Sequence, residues 1–308
     1  MYISLLCYNR LVKVKVYAKL NLTLDVGAKQ GEFHSIDSVV TSVDICDVVE
    51  VVKRDDRRVN VCGVQGVEQE LNTAYKAAVA FMRVFEGRLA TQVRGVDITI
   101  NKGIPFGAGM GGSSADASAV VYCMCKLFGV DINSREIHEL CATLGSDINY
   151  MLYGGLARLQ GKGDDVTLYK QAQPLYFALT TFNASMNSGE VYSAFDALRV
   201  KQVTQDSIGM SVSSSILTML QQGDNGTAIT LFNNALQQAT LSVSSYANAY
   251  LNFIQSHNLQ CNMTGSGSAY YVACQTLEQA ERVAALLNAH GFATTVCKSV
   301  PNGIIELL

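Results

Sequence analysis

Between Gly103 and Asp116 the chain reads GIPFGAGMGGSSAD, with five glycines in ten residues followed by two serines. Glycine tolerates positive φ and lets a ligand come close to backbone amides. A helix starting just after such a run adds unpaired N–H groups and the positive end of its macrodipole. Together these features bind phosphate, and the hydroxyls of Ser113 and Ser114 fall where a phosphate oxygen or a magnesium ion would sit. A plain strand-to-helix turn with Ser113 as N-cap is the simpler alternative, and the glycine content favours phosphate. Two other side chains stand in costly places. Lys19 lies within an alternating apolar pattern, where a lysine needs a partner, and Asp147 follows Gly145-Ser146 directly before an apolar run. A salt bridge between distant elements and a catalytic pair explain them equally well.

Better-known phosphate loops do not fit. A P-loop needs GxxxxGK followed by Ser or Thr, whereas the nearest approach, Gly155 to Lys162, is one residue too long and is followed by Gly163. Gly107, Gly109 and Gly112 match GxGxxG, and Asp131 lies about 20 residues on, but Asp131 introduces a helix where a dinucleotide fold requires the end of a strand.

The elements that must position these residues follow from periodicity. Alternation predicts strands at 12–17 and 20–26, with a β-branched strand at 47–53 and short ones at 59–62 and 96–101. Helices are expected at 72–85, with Asn72 as N-cap, at 113–128 and at 133–144. The second half opens with a strand at 175–182, followed by helical runs at 189–199, 212–221 and 227–256. A strand at 269–274, a helix capped by Thr276 and ending at Gly291, and a strand at 292–298 predict a βαβ-type unit. The composition shift at 160–172 marks the expected domain boundary.

With these elements in place, the segment PFGAGMGGSSADA (105–117) resembles the central motif of the GHMP kinases, which hold ATP on a glycine/serine loop. AKLNLTLDV (18–26), FHSIDSVVTSVDICDVVEV (33–51), LGSDINYMLYGGLARLQGKGD (144–164), NSGEVYSAFD (187–196) and MTGSGSAYYVAC (263–274) extend the likeness in order along the chain. They are similar to the branch that phosphorylates a cytidine-diphosphate sugar alcohol. The resemblance implies an α+β fold of two domains. Residues 1–165 would form an N-terminal nucleotide-binding α/β domain and 166–308 a ferredoxin-like α+β domain, with the active site in the cleft between them. The implied reaction is ATP- and Mg2+-dependent phosphorylation of the 2-hydroxyl of 4-diphosphocytidyl-2-C-methyl-D-erythritol. The rivals are another GHMP small-molecule kinase, of the homoserine or mevalonate type, and a non-catalytic ligand-binding relative.

The same resemblance assigns roles. Lys19 and Asp147 would be the catalytic pair, with Asp147 accepting or orienting the hydroxyl proton and Lys19 holding it ionised. Pro105, Phe106, Gly107, Ala108, Gly109, Met110, Gly111, Gly112, Ser113, Ser114 and Ala115 would bind ATP. Asn21, on the strand face of Lys19, would border the acceptor, and His34 would meet the cytosine edge. Phe33 stands where the family commonly has tyrosine, so a stacking face survives without its hydroxyl. Gly265, Ser266 and Gly267 would close the site from the second half. Ser113 or Ser114 would meet the metal, since the magnesium carboxylate of some GHMP kinases has no clear counterpart here.

Composition narrows the classes that remain. At 308 residues, 49% hydrophobic and 16% charged, the chain has ample material for a core and is unlike a disordered one. With 23 basic against 26 acidic residues, a nucleic-acid partner held by bulk charge is not expected. The nine cysteines contain no CxxC, and Cys123 and Cys125 point to different helix faces, so buried thiols in a reducing compartment are expected. His34, His138, His257 and His290 are too scattered for a zinc pair. The opening MYISLLCYNR is too short in its apolar part for an export signal, and no run reaches membrane-spanning length. A cytoplasmic enzyme with a small-molecule partner is therefore expected, its oligomeric state left open.

Overall fold

The computed structural model describes residues 10–31, 33–87, 95–182, 186–201 and 212–307. Its frame is β1 (Leu11–Asn21), β2 (Thr23–Gln30) and β3 (Phe33–Lys53). Val12, Val14, Val16, Ala18 and Leu20 of β1 are buried in alternation, as period two requires. From Ala18 onward the opposite face is covered as well, and the pairing with β3 shifts register at Tyr17/Ala18. Lys19 and Asn21 therefore lie on the covered stretch. β3 is 21 residues long and pairs antiparallel with β1, β2 and three later strands.

Next come β4 (Val59–Cys62), α1 (Thr73–Phe85), β5 (Val96–Asn101), α2 (Gly112–Phe128), α3 (Arg135–Leu144), α4 (Ile148–Tyr153), β6 (Leu156–Gly161) and β7 (Asp165–Tyr169). β5 and β6 both join β3, and β4 runs parallel to β5. Asn72 caps α1, its Oδ1 accepting from Ala74 N–H at 2.9 Å. α2 is buried on nearly every face, Cys123 and Cys125 included, which is why its apolar residues show no single stripe.

The second half comprises β8 (Tyr176–Thr180), α5 (Ser188–Lys201), α6 (Val212–Gln222), α7 (Asn225–Thr230), β9 (Asn233–Asn234), α8 (Gln237–Thr240), α9 (Ser245–Ser256), β10 (Asn262–Met263), β11 (Tyr270–Cys274), α10 (Leu277–Ala289), β12 (Thr294–Val300) and β13 (Ile304–Leu307). Strand order in the main path is β10-β11-β8-β12-β3-β1-β13. β11 and β12 flank β8, each antiparallel to it, so the expected βαβ unit is split by an inserted strand. β13 returns to pair with β1.

Three expectations need correction. The run 227–256 is not one helix. Asn233 and Asn234 pair in parallel with Thr23 and Leu24, which interrupts it, and Ser244 caps a fresh helix by accepting from Ala247 N–H. The strand expected at 47–53 is the end of β3, whose earlier part has a polar start (FHSIDS) that hides it. The strands β6, β7, β10 and β13 and the helix α4 are additional. Eight cysteines are free thiols, and the ninth, Cys7, lies outside the described residues. Among the described residues no helix is long and apolar enough to cross a membrane.

Candidate active site

A cavity of about 630 Å³ opens between the end of β1, the start of α2, the start of α4, and α5. Lys19 lies at its base, only 5% exposed. Its Nζ donates to Asn21 Oδ1 at 2.8 Å and stands 3.4 Å from Asp147 Oδ2. Asp147 is the N-cap residue of α4, yet its side chain caps nothing. A carboxylate at that position ordinarily accepts from its own helix. Here it is left for Lys19 and for the cavity, to which its side chain is 28% exposed.

Asn21 fixes the lysine. Its Oδ1 also accepts from Gly265 N–H at 2.9 Å, its Nδ2 donates to Ser38 Oγ at 2.8 Å, and its carbonyl accepts from the Tyr271 hydroxyl at 2.7 Å. Asn21 thus ties β1 to the turn between β10 and β11. Gly265 and Ser266 of that turn line the cavity, whereas Gly267 does not.

The glycine loop forms the adjoining wall. Residues 104–113 and Lys102 enclose a second space of about 280 Å³, while Gly109, Gly111 and Ser114 face the larger cavity. Gly109 has φ +74°, and a Cβ there would lie 2.2 Å from the Thr264 carbonyl. Gly111 has φ +75°, and a Cβ would meet the Met151 methyl at 2.1 Å and Lys19 Cγ at 3.2 Å. Only glycine lets the loop pass this close to the lysine. Gly111 is the N-cap of α2 and offers no side-chain cap, so the first N–H groups of the helix receive none. The Met110 carbonyl accepts from Lys19 N–H at 3.0 Å, pinning loop to strand. Ala115 reaches neither space, because it is buried and its N–H donates to the Gly111 carbonyl at 2.8 Å.

At the far end of the large cavity, Phe33 is 54% exposed with Lys162 Nζ 5.3 Å from its ring centre. His34 stacks on Tyr192 with centroids 5.2 Å apart, and its Nε2 lies 2.8 Å from Asp196 Oδ1. Tyr192, Asp196, Lys29 and Lys162 all line the cavity. Burial, with the charge of Asp147 behind it, raises the Tyr192 hydroxyl above its ordinary range and keeps it neutral. Sequence reasoning missed Tyr192 and Asp196 as individuals. Their only signal was the segment NSGEVYSAFD, which contains both.

Beneath the loop sits a second ionic group that was also missed. Lys102 Nζ donates to Asp47 Oδ2 and, at 2.8 Å, to Asp116 Oδ2. Fully buried Asp47 accepts from the N–H groups of Gly103 (2.7 Å) and Ile104 (2.8 Å) through its other oxygen. Asp116 Oδ1 is buried with no partner among the described residues. Burial, together with the charge of Asp47 and against that of Lys102, pushes the Asp116 carboxyl up to about 7.

Known proteins resemble this chain over most of its length. The family model for the GHMP kinases N terminal domain matches residues 72–155, from the start of α1 to the end of α4. A 4-diphosphocytidyl-2-C-methyl-D-erythritol kinase from Caldicellulosiruptor saccharolyticus is 30% identical over 84% of this chain and 86% of its own length. One from Desulfitobacterium hafniense is 31% identical over 96% and 98%. Among solved structures, a 4-(cytidine 5'-diphospho)-2C-methyl-D-erythritol kinase superposes with a TM-score of 0.72 at 24% identity, covering 93% of this chain and 98% of that one. A homoserine kinase from Cytophaga hutchinsonii also gives 0.72, at 16% identity and complete coverage of both chains. The fold is therefore shared by kinases of different acceptors, and the sequence likeness separates them.

Proposed function

Since the chain belongs to the 4-diphosphocytidyl-2-C-methyl-D-erythritol kinase family of GHMP kinases, we propose that it transfers the γ-phosphoryl group of ATP to the 2-hydroxyl of that cytidine-diphosphate sugar alcohol. The observation that carries the proposal is the Lys19–Asp147 pair, 3.4 Å apart at the base of a cavity walled by the glycine loop. Residues 1–165 bind the nucleotide in this scheme, and residues 166–308 contribute the walls that close over the acceptor.

Phosphoryl transfer asks a protein for position and charge stabilisation more than for covalent chemistry. The loop 105–114 and the open N–H groups of α2 cradle the ATP phosphates. Asp147 accepts the proton of the acceptor hydroxyl as its oxygen bonds to the γ-phosphorus, the bond to the β–γ bridging oxygen breaks, and ADP leaves. Lys19, 3.4 Å from Asp147, offsets negative charge on the transferring group. The cytidine lies at the far end, between the Phe33 and Tyr192 faces and beside His34, while Asn21, Gly265 and Ser266 border the sugar alcohol. Magnesium, when bound, would neutralise the phosphate oxygens. Among the described residues no group of three or more acidic, histidine or cysteine side chains could cage it. Ser113 opens on the loop space and Ser114 on the main cavity, so either hydroxyl, with phosphate oxygens and water, fits a hard, oxygen-seeking ion.

The test is a side-by-side kinase assay with this acceptor, homoserine and mevalonate at equal concentration. Transfer to the cytidine-diphosphate acceptor alone is expected, and preferential transfer to either of the others would overturn the assignment.

A further inference from the structure

The contact between His34 and Asp196 bears on which base the cavity admits. We propose that Asp196 is a positioning residue that sets the tautomer of His34 and thereby makes the far end of the cavity select cytosine over uracil. The proposal rests on that end being the cytidine site. Asp196 comes from α5, 162 positions away in sequence, and places Oδ1 2.8 Å from His34 Nε2. A carboxylate accepts hydrogen bonds and donates none. Nε2 therefore carries a proton, and in the uncharged form of the ring the lone pair lies on Nδ1. Tyr192 stacked at 23° and the edge of Phe195 at 80° hold the plane of the ring. The side chain is only 7% exposed, and what remains open faces the cavity.

A fixed acceptor on a side chain only 7% exposed discriminates by pairing. Cytosine presents an amino donor at its 4-position, which satisfies the lone pair. Uracil presents a carbonyl oxygen there and leaves two acceptors facing each other. Asp196 does not touch the base in this arrangement. It acts by forbidding the tautomer in which Nδ1 would carry a proton and could welcome a carbonyl.

Asp196→Asn separates this role from structural support. An amide can turn either its oxygen or its NH2 toward Nε2, so both tautomers become available. Inhibition constants of CDP and UDP, measured in competition with the acceptor, give the readout. Wild-type protein is expected to prefer CDP by about tenfold or more. In Asp196→Asn, UDP should bind about tenfold tighter, while CDP changes by less than about threefold. Asp196→Ala should narrow the ratio in the same direction. General damage would weaken both nucleotides together, and that result, or a CDP/UDP ratio unchanged in both variants, overturns the role of Asp196. Failure of CDP to compete at all in the wild type would instead overturn the placement of the cytidine, and this inference with it.

Discussion

Lys19, buried, and Lys102, partly buried, are cations beside the glycine loop, and their surroundings differ in one respect. Lys102 is held between two carboxylates whose other duties are structural, since Asp47 also takes two backbone N–H groups at the loop entrance and Asp116 sits in the first turns of α2. Lys19 has one carboxylate, and Asp147 has oxygen left over that faces a cavity. The same residue types make a closed brace in one place and leave a carboxylate open to a cavity in the other. The deciding variable is whether the carboxylate is buried in the fold, as Asp47 and Asp116 are, or opens on a cavity, as Asp147 does.

Substitutions should separate the two groups. Asp147→Asn keeps shape and removes the proton acceptor, so turnover should fall by about 10³-fold, with ATP affinity within about threefold and an unchanged melting profile. Equal turnover would remove Asp147 from the chemistry. Lys102→Ala should act on stability instead. It strands two buried carboxylates, and chemical denaturation should show a loss of about 3–5 kcal/mol. A loss under about 1 kcal/mol would mean that the brace is slack.

Phe33→Ala tests the far end of the cavity. It should raise the KM of the acceptor about tenfold and lower kcat less, because a stacking face contributes to binding more than to the transition state. An equal loss with an acceptor lacking cytosine would refute stacking.

The smallest effect is expected at Asp116. Its carboxyl is raised in the folded chain to about 7, above its unfolded value of about 3.9. The folded state therefore binds more protons between those values, and stability contributed by the protonated form is lost as pH rises from about 4 to 7. Asp116→Asn should flatten that decline and gain on the order of 1 kcal/mol above pH 7 in denaturation measured across pH. A steeper decline in the variant would contradict the direction of the shift.

What the sequence revealed follows the same logic. The loop, Lys19 and Asp147 were legible as a candidate site because each is the wrong residue type for its local pattern, and the structure brings them together around one cavity. Asp47 was not, since one acid at the head of DVVEVV looks like a strand end; its two loop N–H partners come from 56 and 57 residues away. Tyr192 and Asp196 acquire meaning only by meeting His34 across the fold. The long β3 was hidden for a related reason. The polar residues near its start face other elements of the structure, as Ser38 does in bonding Asn21, so alternation there was not a guide. Asn233 and Asn234 break a helical pattern by pairing with β2, a tertiary contact that overrides local propensity.

The most direct measurement is a crystal structure with a non-hydrolysable ATP analogue and the acceptor both bound. The terminal phosphate should lie against residues 107–114 within hydrogen-bond reach of Lys19 Nζ, with the 2-hydroxyl of the acceptor on Asp147. A nucleotide whose phosphates lie elsewhere, or an acceptor hydroxyl turned away from that carboxylate, would contradict the assignment.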